Sequence, residues 1–255
     1  MTQVVVSRSG PILELWLDRA AKKNALTFAM YEALTSALLQ ARSDAGVRVA
    51  LISGNGETFC AGNDIADFMT PRSDFGAAPP SRFIEALVAF DKPLIAAVHG
   101  PAVGIGATML LHCDLVYAST TARLRMPFVS LGLVPEAGSS LLLPRRVGDA
   151  VAAEILLLGA WVDAGRALEL RLVNGVFPSA TELIAFARAR ASDLAASPVQ
   201  ALRATRALLK GDPSAVRARI AEEALAFAKS LTSAEAKEAF AAFLERRAPD
   251  FSKLV

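Results

Sequence analysis

The chain has little of what would narrow its role at a glance. Its 255 residues contain two cysteines, Cys60 and Cys113. Each sits among apolar neighbours without the spacing of metal ligands. Two buried thiols in a reducing compartment are the expectation. There are also two histidines, His99 and His112. His99 precedes a Gly-Pro turn and His112 ends an apolar run, so both read as packing residues. Neither stands at a telling spacing from Ser139-Ser140, which leaves serine hydrolysis poorly supported. No long basic run occurs and the net charge is +2, so composition gives no reason to expect a nucleic-acid partner. The N-terminus, MTQVVVSRSGPILEL, lacks the charged and then apolar regions of a secretory signal. Leu94 to Leu111 comes nearest to a membrane run, but His99, Pro101 and glycines interrupt it. Ser252-Lys253-Leu254 would be a peroxisomal address only at the very end, and Val255 follows. A cytoplasmic protein with no metal, membrane or nucleic-acid partner is expected.

What is present is a globular composition, 53% apolar and 20% charged, in a chain long enough for a sizeable core. One stretch organises it, AVHGPAVGIGATMLLHCD over residues 97–114. A short apolar strand, Pro93 to Val98, breaks at His99-Gly100-Pro101. Gly104 and Gly106 then bracket Ile105, and a helical run follows from Ala107 to Leu111. A strand that passes through glycines into a helix leaves backbone N–H groups free at the helix start, where the dipole favours negative charge. Such a turn can hold a phosphate or a developing oxyanion, or it can be a tight corner with glycines for steric reasons alone.

Further strands are expected at Val4–Val6, Ile12–Leu17, Val49–Ile52, 114–118 and 122–126. Thr58 to Ile65 reads as another strand running into a small-residue turn. Helices are expected over 27–43, 81–90 and 150–158. Residues 66–80, with Pro71, Gly76 and Pro79-Pro80, read as a loop that could act as a lid. Leu141–Leu143 reads as a short apolar segment. Strand, turn and helix recur without a fixed-period repeat, which makes the class α/β. Past Asp149 the character shifts. Asp163 can cap a helix over 164–170, Ser179 with Glu182 fits a capping box, and Thr232 with Glu235 fits another. From about residue 196 the chain is all helix. Ile220, Ala224, Phe227 and Leu231 form an apolar stripe that Phe240, Phe243 and Leu244 continue. That stripe has to pack on its own core or on another subunit.

Phe59-Cys60-Ala61-Gly62-Asn63-Asp64-Ile65 together with His99-Gly100-Pro101-Ala102-Val103-Gly104-Ile105-Gly106 resembles the crotonase family, the enoyl-CoA hydratases and isomerases. The resemblance extends from Asn24-Ala25-Leu26 to Glu235-Ala236-Lys237-Glu238-Ala239-Phe240. It implies a ββα spiral core over residues 1–195 and a helical trimerisation region over 196–255, with trimers or pairs of trimers as the assembly. The implied substrate is an acyl-CoA thioester, whose CoA makes any further cofactor unnecessary. The thioester oxygen would lie between the backbone N–H groups of Asn63 and Ile105. Ala25, Ala61, Gly62, Asp64, Ile65 and Gly104 would contact CoA and substrate, with Lys22 or Lys23 near the phosphates.

Carboxylates decide the subfamily. Water addition needs an acid and a base, and the family's hydratases supply them as two glutamates. Thr108 and Phe128 occupy the matching positions here. The remaining carboxylate is Glu136 in Pro135-Glu136-Ala137-Gly138, a turn that resembles the one in Δ3,Δ2-enoyl-CoA isomerases. There a single glutamate moves a proton between C2 and C4. Leu133, Val134 and Leu141 suggest an apolar pocket around it. Asp64 and Asp114 read as structural, and Asp67, Asp74 and Glu85 as a solvated face beside the lid. A hydratase, a thioester hydrolase and a non-catalytic acyl-CoA binding protein stay open as alternatives.

Overall fold

A computed structural model describes residues 3–68 and 78–254. Strands β1 (Val4–Ser9) and β2 (Ile12–Leu17) form an antiparallel hairpin at one edge of a six-stranded sheet. The sheet continues in parallel through β3 (Val49–Gly54), β4 (Leu94–Val98), β6 (Leu115–Ser119) and β9 (Gly175–Phe177). A second, three-stranded sheet orders β5 (Pro101–Val103), β7 (Arg123–Arg125) and β8 (Val162–Asp163).

Alternate residues of each central strand enter different cores, as a period of two requires. Leu13, Leu15, Ala50, Ile52, Ala96 and Val98 face one layer, with α1 (Phe28–Ser43) and α3 (Pro79–Ala89). Ile12, Val49, Leu51, Ile95 and Ala97 face the other, covered by Leu183, Ala187, Ala191 and Ala195 of α8 (Ala180–Ala196). Both faces of the sheet are therefore dry, as is usual for parallel sheets. This explains Glu14, which alternation would place on an open face but which is buried. Arg188 of α8 reaches it with two hydrogen bonds of 2.7 and 2.9 Å, and the Trp16 indole donates a third at 3.0 Å. The Arg188 hydrogen bond holds its carboxyl below the usual range against the cost of burial.

The chain winds as strand, strand, helix. After β4 comes β5 and then α4 (Ile105–Thr108), which continues as a 3₁₀ turn to His112. After β6 comes β7, then α5 (Ser139–Val147) and α6 (Asp149–Leu158). The first winding is reduced: β3 leads to isolated bridges at Cys60 and Asn63 instead of the expected strand, then to α2 (Ile65–Phe68). Helix α7 (Ala164–Glu169) precedes β9, and α9 (Val199–Lys210), α10 (Ser214–Leu231) and α11 (Ala234–Glu245) close the chain.

Local signals explain several helix starts. Asp163 accepts from Arg166 N–H at 2.8 Å, and Ser179 with Glu182 makes the capping box. At α11 the cap is Ser233, one residue later than expected. Three segments differ more. Pro101–Val103 is a strand, not a turn, because its Cys60 and β7 partners lie elsewhere in the chain. Leu141–Leu143 sits inside α5. Pro79 and Pro80 open α3, where proline's missing N–H costs nothing. The rest of the expected lid, with Pro71, Asp74 and Gly76, lies outside the described residues. Asp67 is no solvated charge: it accepts from the Phe28 N–H at 2.8 Å at the start of α1. Glu85 pairs with Arg217 of α10 at 2.7 Å.

Asp114 is a strut between layers. It accepts from the Leu94 N–H at 2.8 Å and pairs with Arg206 at 2.7 Å and Lys210 at 3.2 Å on α9. Asp114→Ala leaves that N–H and a largely buried guanidinium without their partner. We expect it to destabilise the fold by about 2 kcal/mol. Urea unfolding checks this, and an unchanged midpoint contradicts the strut.

Candidate active site

A cavity of about 870 Å³ opens where the windings meet the C-terminal helices. Its first wall is the basic loop Arg19–Ala25. Asn24, fully buried, staples that loop: its amide donates to the Asn55 and Thr58 carbonyls and its oxygen accepts from the Arg19 N–H. Lys22, Lys23 and Ala25 are thereby turned to the cavity.

The second wall is the pair of segments 60–65 and 101–105, which run side by side. Cys60 and Ala102 bridge, with Val103 N–H on the Cys60 carbonyl at 2.9 Å. This approach requires glycine: a Cβ on Gly106 would lie 2.7 Å from the Cys60 oxygen. Ala61, Gly62, Asn63, Asp64, Ile65 and Gly104 all line the cavity. Leu26 bonds to the Gly62 carbonyl and the Asp64 N–H on either side of Asn63. The Asn63 N–H therefore points away from Leu26. The Ile105 N–H is the first of α4 and has no intrahelical acceptor. Among the described residues no acceptor takes either of them. Ile105 itself does not line the cavity; its side chain is fully buried, and only its backbone follows Gly104 to the edge. The Tyr31 hydroxyl donates to the Asn63 side chain from α1 and holds that segment in place. Arg19 does the same for Asp64, with an ion pair of 2.6 Å.

Glu136 supplies the third wall. Its Oε1 is enclosed and, among the described residues, has no hydrogen-bond partner. Desolvation first, and the charge of Glu223 second, push its carboxyl up to about 8. Ala137 and Gly138 after it both take left-handed backbone, φ 60° and 70°. For alanine that conformation is strained by about 1 kcal/mol. His112 binds the Ala137 carbonyl at 2.7 Å through Nε2, which donates; burial lowers the imidazole to about 4, so it is neutral. The fourth wall is apolar: Phe128, Leu131 and Leu133, then Phe227 of α10 and Ala239, Phe240, Phe243 and Leu244 of α11. Arg125, Arg246 and Arg247 add cations.

Against known proteins, residues 7–253 match the family model described as Enoyl-CoA hydratase/isomerase. The chain belongs to the enoyl-CoA hydratase/isomerase family. It is 36% identical over 255 residues to the 2,3-dehydroadipyl-CoA hydratase of Escherichia coli strain K12, covering 98% of this chain and 99% of that protein. It is 40% identical over 184 residues to enoyl-CoA delta isomerase 2 of Rattus norvegicus, covering 70% of this chain and 47% of that one. A crystal structure of an enoyl-CoA hydratase/isomerase from Pseudoalteromonas atlantica T6c superposes with a TM-score of 0.94 at 42% identity, over 98% and 99% of the two chains. The crotonase fold expected from the two glycine-bearing motifs is thus the fold observed.

For this family member the sequence reading missed several residues in or behind the cavity walls. Arg125 carried no signal, being one of two arginines on a short strand. Tyr31 and Glu223 looked like ordinary helix positions, and only packing shows what they touch. The apolar stripe of the tail did carry a signal, and Phe227 and Phe240 pack against the core of the same chain. The two positions expected, from the resemblance, to match hydratase carboxylates are apolar or closed: Phe128 lines the cavity, and Thr108 is fully buried with its hydroxyl unpartnered among the described residues.

A carboxyl raised in the fold favours the protonated native state. Glu136 therefore adds stability below its unfolded value, near 4.5, and that contribution is lost as pH rises toward 8. Urea midpoints of the wild type should fall relative to Glu136→Gln across that window. Parallel curves for the two proteins contradict the buried, raised carboxyl.

Proposed function

We propose that the protein is a Δ3,Δ2-enoyl-CoA isomerase using Glu136 as its one acid–base group. The supporting observation is the carboxylate inventory of the cavity. Among the described residues only Asp64 and Glu136 line it as carboxylates, and Asp64 is committed to Arg19. Glu136 alone is free, enclosed and adjacent to an apolar wall. One such group suffices for a 1,3-proton shift. Glu136 removes a proton from C2 of a 3-enoyl thioester, electrons flow to the thioester oxygen, and a dienolate forms. The Asn63 and Ile105 N–H groups stabilise that oxyanion, a term usually worth several kcal/mol. The protonated Glu136 then returns the proton to C4, leaving the double bond between C2 and C3.

The CoA portion would run along Ala25, Ala61, Gly62, Asp64, Ile65 and Gly104, with Lys22 and Lys23 toward its phosphates. The acyl chain would meet the phenylalanine wall. Exposed Leu208 and Leu209 on α9 and Leu225 on α10 support assembly with further copies as a trimer or a pair of trimers. Among the described residues no helix is long and apolar enough to cross a membrane, in keeping with a cytoplasmic acyl-CoA enzyme. A hydratase is the second reading, favoured by the full-length similarity to the E. coli hydratase.

Incubation with 3-hexenoyl-CoA and with 2-hexenoyl-CoA separates the two. We expect isomerisation of the first and no appreciable hydration of the second. Glu136→Gln should lower isomerase turnover by about 10²–10⁴-fold with thioester binding retained. In the wild type kcat/KM should rise with pH through about 8, where the Glu136 base forms. Rapid hydration of 2-hexenoyl-CoA, or a fully active Glu136→Gln variant, overturns the proposal.

The backbone donor at Ile105 has its own check. Proline there removes the N–H and should cost roughly 3–4 kcal/mol of transition-state stabilisation, whereas Ile105→Ala keeps it. Equal losses in two folded variants contradict a backbone role.

A further inference from the structure

Helix α5 begins at Ser139, directly after the Glu136 turn, and its first N–H groups have no intrahelical acceptors. Its preceding residue is Gly138, which has no side chain to cap with. The cap comes from another helix altogether. The carboxylate of Glu223 on α10 is buried against the turn. It accepts from the Gly138 N–H at 2.6 Å, the Ser140 N–H at 2.9 Å and the Ser140 hydroxyl at 2.6 Å. Arg219, one turn earlier on α10, reaches the same hydroxyl at 3.3 Å. Glu223 also packs its charge behind a segment, Ala137-Gly138, whose backbone is left-handed at consecutive residues next to a cavity carboxylate.

We propose that Glu223 is a positioning residue for proton transfer at Glu136, holding the strained turn by its carboxylate and making α10 part of the site. This rests on the reading of Glu136 as the acid–base group. Two effects follow from one side chain. Bound N–H groups on both sides of Ser139 fix the turn's path, and with it the point in the cavity that the Glu136 carboxyl reaches. A fixed negative charge behind the turn also opposes ionisation of Glu136 and strengthens it as a base once ionised. The other groups around Glu136 do neither. Tyr31 and Cys60 are neutral and face it from α1 and the 60–65 segment. His112 is neutral and bound to Ala137. Arg125 and Asp64 lie on other walls of the cavity, each tied to its own partner. Glu223→Gln keeps the shape, removes the charge and leaves one of the two N–H groups facing an amide that cannot accept.

The test measures kcat and KM for 3-hexenoyl-CoA against pH in wild type, Glu136→Gln, Glu223→Gln and Glu223→Asp. Circular dichroism and urea unfolding report the fold of each. Glu223→Gln should shift the apparent pKa of kcat/KM down by about one unit. Its kcat at the optimum should fall roughly tenfold or more with KM unchanged. Glu223→Asp keeps the charge with a shorter reach, so its pH profile should stay near the wild type while kcat falls. A folded Glu223→Gln with the wild-type profile and kcat overturns the proposal, since a merely structural cap would change only the urea midpoint. If Glu223→Gln does not fold, Glu223→Asp decides: wild-type kcat in that variant overturns the proposal. Full activity in Glu136→Gln instead overturns the assignment of Glu136 and is read separately from the Glu223 variants.

Discussion

Backbone has to touch backbone for this site to exist. The 60–65 and 101–105 segments come from different windings of the spiral, and the Cys60–Ala102 bridge draws them into one ledge. Side chains would prevent that contact, as the 2.7 Å approach of a Gly106 Cβ to the Cys60 carbonyl shows. Once the segments lie together, the Leu26 bonds on either side of Asn63 orient one N–H, and the start of α4 frees another. Both N–H groups are main chain, held by the Leu26 bridge and by the start of α4, so in the proposed reading they would meet a developing charge without reorganisation.

Among the described residues no cation pairs with Glu136. Cations from Lys22, Lys23, Arg125, Arg246 and Arg247 line the cavity without burial among apolar groups. Glu136 faces the apolar side instead, beside Phe128, Leu133 and the helices α10 and α11. Ions of opposite sign are thereby kept out of a pairing that would hold the carboxylate ionised and inert. Desolvation then dominates its proton affinity. Contrast Glu14, a buried residue paired with Arg188, whose carboxyl moves the other way. Burial alone does not set the direction; the presence or absence of a partner does.

Much of the architecture was legible because the physics involved is local. Asp163 and Ser179 announce helices because a cap bonds within three residues of itself. Gly106 announces a close approach, and Gly104 a left-handed backbone with φ of 54°, because little but glycine tolerates either. The apolar stripe through Phe227 and Phe240 announced packing without naming what it packs on, since periodicity shows a face and not its partner. Conversely, β5 was invisible as a strand. Pro101–Val103 is short, follows a glycine, and pairs only with residues brought from Cys60 and from β7.

What the sequence determined by itself was the class, the family, the glycine ledge and the turn that carries Glu136. Each is written in residue types at short spacing, and short-range sterics and hydrogen bonds translate them directly. Tertiary structure alone decided how Glu136 behaves. The oxygen without a partner, the phenylalanines that dry the cavity and the Glu223 carboxylate 85 positions from Gly138 are all contributions from distant segments. Proton affinity depends on everything within a few ångströms in space, and no local pattern encodes which distant segments will be there.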